Sequence, residues 1–127
     1  MGELLGIGLD LVEIERFRTS VERHGQPFLN RLFTAAEQSY CSSLADPVPS
    51  YAARFAAKEA VSKAFGTGIG SDLSWQDIEI IHDARKAPAI VLHGKGLTLL
   101  QSLNASRCLI TLTHTASTAA AAAALIH

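Results

Sequence analysis

The residues of this chain best suited to chemistry lie in one stretch and at one distant carboxylate. Arg54 to Gly70 reads RFAAKEAVSKAFGTGIG. It joins a helical run, a carboxylate, two lysines and a glycine-rich exit, the parts needed to hold a metal and a phosphate. With Tyr51 to Phe65 taken as a helix and successive residues about 100° apart, Tyr51, Arg54, Lys58 and Ser62 fall on one polar strip. Glu59 and Lys63 make an i,i+4 pair on a neighbouring face, among Ala52, Phe55 and Ala56. A carboxylate and an ammonium on a small, apolar face are costly unless paired or bound to something.

Gly66-Thr67-Gly68-Ile69-Gly70 follows the helix. Glycines turn through positive φ and let backbone approach a ligand closely, and successive N–H groups in such a turn can form an anion-binding concavity. A helix C-cap, a flexible loop and a surface Glu–Lys pair account for the same residues. The segment is neither a Walker loop nor a Rossmann turn, because its glycines close a helix rather than open one.

The distant carboxylate is Asp10. In Leu4 to Leu11, LLGIGLDL, the residues Leu5, Ile7, Leu9 and Leu11 alternate with Gly6, Gly8 and Asp10, the periodicity of a strand. One face is apolar; the other has two positions without side chains and then a carboxylate. Space beside Asp10 for another backbone or a ligand is one reading, and an edge strand whose second face meets solvent is the other.

The elements that must position these residues follow in order. Glu13 to Val21 reads as a helix through Ile14, Phe17 and Val21, broken by His24-Gly25-Gln26-Pro27. Arg16, Arg18, Arg23 and Arg31 face one acid, Glu22, over that region, which is either a solvated helix face or a docking surface for an acidic partner. Thr34-Ala35-Ala36-Glu37 is a capping box that starts a helix near Ala35 and runs it to about Leu44. Asp46 to Ser50 is a stiff connector. Asp77 to His82 and Ala89 to His93 form a hairpin about a turn at Arg85 to Pro88. Gly94 to Leu103 is a short helix, and Arg107 to Thr113 a strand ending at His114. The run Ala119 to Leu125 is in conflict: alanine favours helix, whereas the strand and turn before it would return it as a paired, small-residue strand.

Composition sets the bounds. At 127 residues the chain is one domain, able to bury a core without disulfides. A net charge of −1 gives no global reason to expect nucleic acid or a membrane surface. Cys41 and Cys108 are too far apart for a metal or redox pair and read as free thiols of a reducing cytosol. No signal peptide is expected, and the longest apolar run is too short to span a bilayer, so a cytoplasmic protein is expected. The five histidines lack the spacing of a zinc site.

Three separated segments together carry a resemblance: Gly6 to Ile14 (GIGLDLVEI), Arg54 to Gly70, and Thr113-His114-Thr115 before the alanine-rich end. In order and spacing they resemble holo-acyl-carrier-protein synthase, the small bacterial type of 4′-phosphopantetheinyl transferase. The resemblance covers essentially the whole chain, residues 1–127 as one transferase domain. It implies an α+β fold, a small antiparallel sheet wrapped around a long central helix, with the alanine-rich end as a strand. It implies transfer of the phosphopantetheine arm of coenzyme A to a serine of apo acyl carrier protein, in support of fatty acid biosynthesis. Adenosine 3′,5′-bisphosphate would be the other product.

The resemblance also assigns roles. Asp10 and Glu59 would hold Mg²⁺, a cation that takes a few carboxylates and keeps much of its water. Lys63 would contact phosphate as a point charge, and Gly66, Thr67 and Gly68 would cradle the phosphates of coenzyme A. Arg54 and His114 match positions lining that coenzyme. A metal-bound water and Asp10 are both candidates to take the serine proton. Arg16, with Arg23 and Arg31, would grip the acidic helix of the carrier protein, and a homotrimer with its sites where subunits meet is implied. One departure stands out: where the family has Gly-Lys-Pro in the hairpin turn, this chain has Lys86-Ala87-Pro88, so no ligand role passes to Ala87. Two rival readings use the same residues, a Mg²⁺-dependent hydrolase of coenzyme A or a nucleotide, and a module that binds an acidic helical protein.

Overall fold

A strand with glycines on one face lies directly against a long helix, and the other elements are arranged about that contact. The computed structural model describes residues 2–127. The strand is β1 (Leu4–Glu13) and the helix α3 (Val48–Phe65). A Cβ added at Gly6 would collide with the carbonyl of Ala64, and one at Gly8 with the carbonyl of Ala60. The space over the two glycines is therefore filled by helix backbone. The apolar face of β1 points away from the core, with Ile7 68%, Leu9 63% and Leu11 69% exposed.

β1 pairs antiparallel with β5 (Thr118–Ile126), which pairs antiparallel with β4 (Arg107–His114), giving the order β1-β5-β4. The alanine run is thus the central strand. Ala119, Ala121, Ala123 and Leu125 are buried, and the last three share a core with Ala57, Ala60 and Ala64 of α3. Tertiary packing overrides helix propensity here, because only small side chains let helix and sheet approach this closely. β2 (Ile78–His82) and β3 (Pro88–Leu92) form a separate hairpin, with Ile78 and Ile80 buried on its inner side. The sheet expected as one is two, of three strands and two, and both pack on α3. Helix α4 (Gly94–Ser102) joins β3 to β4.

The helices α1 (Ile14–Leu32) and α2 (Ala35–Ser42) cover the first half of α3. The expected break in α1 is a kink at Gly25, whose φ of 64° and ψ of −150° interrupt the helix two residues before Pro27. Phe17 bridges the two halves, 5.8 Å from the Phe28 ring and 5.3 Å from Phe55. The capping box of α2 forms as expected, with Glu37 N donating to Thr34 Oγ1 and Thr34 N to Glu37 Oε1. α3 begins at Val48, three residues before the expected start, because Pro49 sits in its first turn where a missing N–H costs nothing. The polar strip of that helix, Tyr51, Arg54, Lys58 and Ser62, is buried throughout.

Candidate active site

Asp10 and Glu59 meet at the rim of a cavity of about 630 Å³ between β1, α1 and α3. Asp10 comes from the glycine face of β1. Glu59 comes from the flank of α3, one turn beyond Phe55. Val12, Phe17, Phe28, Phe55 and Trp75 give the cavity an apolar floor, and Arg16 and Arg31 supply positive charge at its mouth. The kink at Gly25 allows both arginines to face one space despite lying in different halves of α1.

The electrostatics differ from the pattern expected of the sequence. Lys63 does not pair with Glu59. Its ammonium donates to Asp10 Oδ1 at 3.0 Å and to the Leu9 carbonyl at 2.9 Å. Among the described residues no side chain hydrogen-bonds the Glu59 carboxylate. Burial, and then the nearby charge of Asp10, push the Glu59 carboxyl above the ordinary range, while Lys63 offsets part of that rise. Two facing carboxylates, one lacking a donor, form a donor set that fits a hard divalent cation, which would relieve the repulsion between them. The remaining coordination would be left to water and substrate oxygens, as Mg²⁺ prefers. The residues fit the ion.

The glycine-rich loop is a cap. Gly66 N bonds to the Lys63 carbonyl at 3.0 Å, and Thr67 N and Gly68 N both bond to the Ser62 carbonyl at 3.2 Å. With φ of 80° and 67° at Gly66 and Gly68, the chain turns back on the last turn of α3 to satisfy its orphan carbonyls. These three N–H groups point into the helix end rather than toward a phosphate. In this structure the loop expected as an anion cradle, Gly66, Thr67 and Gly68, caps the helix. The Lys63 ammonium in this region is half-exposed, though held by Asp10 and the Leu9 carbonyl.

Arg54 and His114 are not brought to this cavity within one chain. Arg54 is buried on the far side of α3. It donates to Ser50 Oγ at 2.6 Å and lies 4.7 Å over the Tyr40 ring, while its Nε has no partner among the described residues. His114 is exposed at the end of β4, opposite Ala119, whose other neighbour is Val12 of β1. Arg23 is exposed on α1 outside the cavity. Sequence reasoning missed the aromatic floor, in particular Trp75, and the buried ion pair of Lys58 with Glu37 at 2.7 Å. The signal for that pair was the Lys58 strip itself, a lysine in line with Tyr51, Arg54 and Ser62 on a mostly apolar helix.

Comparison with known proteins adds the lineage. Residues 6–123 match the model of the 4′-phosphopantetheinyl transferase superfamily. A Chlamydia caviae relative, named holo-acyl-carrier-protein synthase, is 46% identical over 117 residues, covering 92% of this chain and 93% of that protein. The crystal structure of the Neisseria meningitidis holo-acyl-carrier-protein synthase superposes with a TM-score of 0.91 at 32% identity, covering 97% of this chain and 98% of that one. The Helicobacter pylori synthase, solved in complex with coenzyme A, gives a TM-score of 0.84 at 34% identity over 94% of this chain and 98% of its own. A glycine-faced strand ending in Asp10, set against a helix carrying Glu59 and Lys63, thus lies in a chain alike throughout to these proteins. The chain belongs to the 4′-phosphopantetheinyl transferase superfamily, and within it to the holo-acyl-carrier-protein synthases.

Proposed function

We propose that this protein is a Mg²⁺-dependent holo-acyl-carrier-protein synthase acting in the cytoplasm, in support of fatty acid biosynthesis. It moves the 4′-phosphopantetheine group of coenzyme A to a serine of apo acyl carrier protein. A bond forms between the serine oxygen and the β-phosphorus of coenzyme A as the hydroxyl proton passes to Asp10 or to water, the bond to the bridging oxygen breaks, and adenosine 3′,5′-bisphosphate leaves. The observation that carries the reading is the meeting of Asp10 and Glu59, 49 positions apart by their numbers, at one arginine-flanked cavity. Family membership over residues 6–123 supports it.

Each residue has a task in this reading. Asp10 and Glu59 would hold Mg²⁺, which when bound polarises the pyrophosphate and offsets charge on the leaving phosphate. Lys63 binds phosphate, exchanging its contact with Asp10 for a phosphate oxygen; its exposure and long stem allow that movement. Arg16 and Arg31 orient the acidic helix of the carrier protein so that its serine enters beside Asp10, and Arg23 extends the positive surface along α1.

The protein works as a homotrimer. Supporting this, Leu5, Ile7, Leu9 and Leu11 of edge strand β1 and Leu109 of β4 are exposed large apolar residues. An apolar cavity of about 730 Å³ on that sheet face also takes in Lys63. Arg54 and His114 then serve the coenzyme A site, His114 from the sheet end and Arg54 after its guanidinium leaves Ser50. Intact-protein mass spectrometry of apo acyl carrier protein, incubated with this protein, coenzyme A and Mg²⁺, tests the proposal. A Mg²⁺-dependent mass gain equal to phosphopantetheine is expected. Consumption of coenzyme A without that gain would mean a hydrolase instead.

A further inference from the structure

One buried ion pair stands outside the transfer chemistry. The Lys58 ammonium has three N–H donors, and each has an acceptor: Glu37 Oε1 at 2.7 Å, the Leu32 carbonyl at 2.7 Å and the Trp75 carbonyl at 3.0 Å. Neither the Lys58 nor the Glu37 side chain reaches solvent. Glu37 in turn accepts Thr34 N on Oε1 and Ile80 N on Oε2, both at 2.8 Å. One carboxylate and one ammonium thereby tie together α1, α2, α3, the turn at Trp75 and β2.

Two of the tied points are walls of the active cavity. Leu32 ends α1, one residue after Arg31, and Trp75 opens the 3-10 turn Trp75–Asp77; both line the space that holds Asp10 and Glu59. The same seam carries a second stitch, with Gln76 Nε2 donating to the carbonyls of Asn30 and Phe33 at 2.8 Å each. The last carbonyls of a helix lack intrahelical donors, and here the side chains of Lys58 and Gln76 supply them. Stability alone is a poor reason for such a pair, since well-packed apolar residues often replace a buried ion pair at no loss. What an apolar pair cannot supply is direction: an ammonium with three fixed donors sets the spacing of two walls.

We infer that Lys58 is a positioning residue for the carrier-protein side of the reaction, holding the last turn of α1, with Arg31, at a fixed distance from Trp75. The inference rests on the transferase reading above. Lys58 also precedes Glu59 in α3, so one step along the helix sets the carboxylate on one flank and the cavity wall on the other.

The double variant Lys58→Met, Glu37→Gln tests this. It removes both charges together, keeps an unbranched side chain at 58 one atom shorter than lysine, and leaves an amide able to complete the capping box. With wild-type far-UV circular dichroism, its KM for apo acyl carrier protein rises about tenfold while kcat and the KM for coenzyme A stay within about twofold. The emission of Trp75, the single tryptophan, shifts to the red and quenches more readily. A folded variant with unchanged carrier-protein KM and unchanged Trp75 emission overturns the inference. Should the double variant not fold, Gln76→Ala carries the test, since it cuts the second stitch of the same seam without leaving a buried charge unpaired: a rise of about threefold in the same KM is expected, and no rise overturns it. Wild-type protein runs beside both. If wild type transfers nothing, the transferase reading itself fails; if it transfers and the variants match it, only the role of Lys58 fails.

Discussion

Lys63 is ion-paired with Asp10 at 3.0 Å across 53 positions of chain, and not with Glu59 one turn back on its own helix. The pair neutralises one carboxylate of the site and leaves the other uncompensated. Both carboxylates are needed to hold the metal in this reading. Asp10→Ala or Glu59→Ala is therefore expected to lower transfer by at least about 10³-fold, the loss of several kcal/mol of charge stabilisation. Folding should survive, since neither residue is part of the core. Mass spectrometry of the carrier protein and a thermal melt check the two halves; transfer at near wild-type rate would remove the metal assignment.

The pH dependence of metal binding follows from Glu59. Its folded-state carboxyl lies above the ordinary range, first through burial and then through Asp10. A group raised in this way stabilises the fold fully below its unfolded pKa, and that contribution is lost as pH rises through the folded value. The metal-free protein is thus relatively better off in acid, whereas Mg²⁺ binds the ionised form and gains as pH rises. With Mg²⁺ at about 100 times its Kd, a stabilisation of about 3 kcal/mol is expected near neutral pH, most of it gone when Glu59 is protonated. Glu59→Gln should melt higher than wild type without metal and ignore added Mg²⁺. Calorimetric melts across pH, with and without Mg²⁺, measure both.

Arg16 and Arg31 face the cavity mouth from the two halves of α1. Arg16→Glu is expected to raise the KM for carrier protein about tenfold or more, mainly through slower association, while coenzyme A binding by titration calorimetry stays unchanged. Loss of both together would discard the docking role.

The outward face of β1 gives an assembly prediction. Ile7→Glu places a charge in the exposed apolar row and should convert a trimer into monomers in analytical ultracentrifugation, with circular dichroism retained and activity lost. A wild-type protein that sediments as a monomer would discard the trimer.

At the tip of the β2–β3 hairpin, Lys86 has a φ of 63°, the left-handed region that a side chain disfavours. The resemblance drawn from the sequence would put glycine at this position. Lys86→Gly is expected to stabilise the fold by about 0.5–1 kcal/mol, the relieved strain less the entropy of a more flexible unfolded chain. Urea denaturation reads the difference, and no change in midpoint would show that the turn already relaxes.

Much of this architecture was legible because local pattern and tertiary need agree. The alternation of Gly6, Gly8 and Asp10 announced a strand with room on one face, and the capping box at Thr34 and Glu37 formed as read. The alanine run was decided by resemblance, since residues with no shape signal no partner. What escaped were contacts distant in sequence. Lys58 finds Glu37 on another helix, 21 positions away, and Lys63 prefers a strand carboxylate to its helical neighbour because β1 lies directly on α3. The glycines after α3 have the composition of an anion cradle and also of a helix cap, and pattern alone did not show that their N–H groups bond to the Lys63 and Ser62 carbonyls.

The glycine face of β1 has a consequence for how the site keeps its size. Between Gly8 and the Ala60 carbonyl, and between Gly6 and that of Ala64, no side chain intervenes, so the strand bearing Asp10 and the helix bearing Glu59 rest peptide against peptide. A rotamer hop elsewhere in the core cannot widen that gap, because nothing in it rotates. The separation of the two carboxylates is thereby insulated from drift in the packed interior, and the core can change its side chains over evolutionary time without retuning the site.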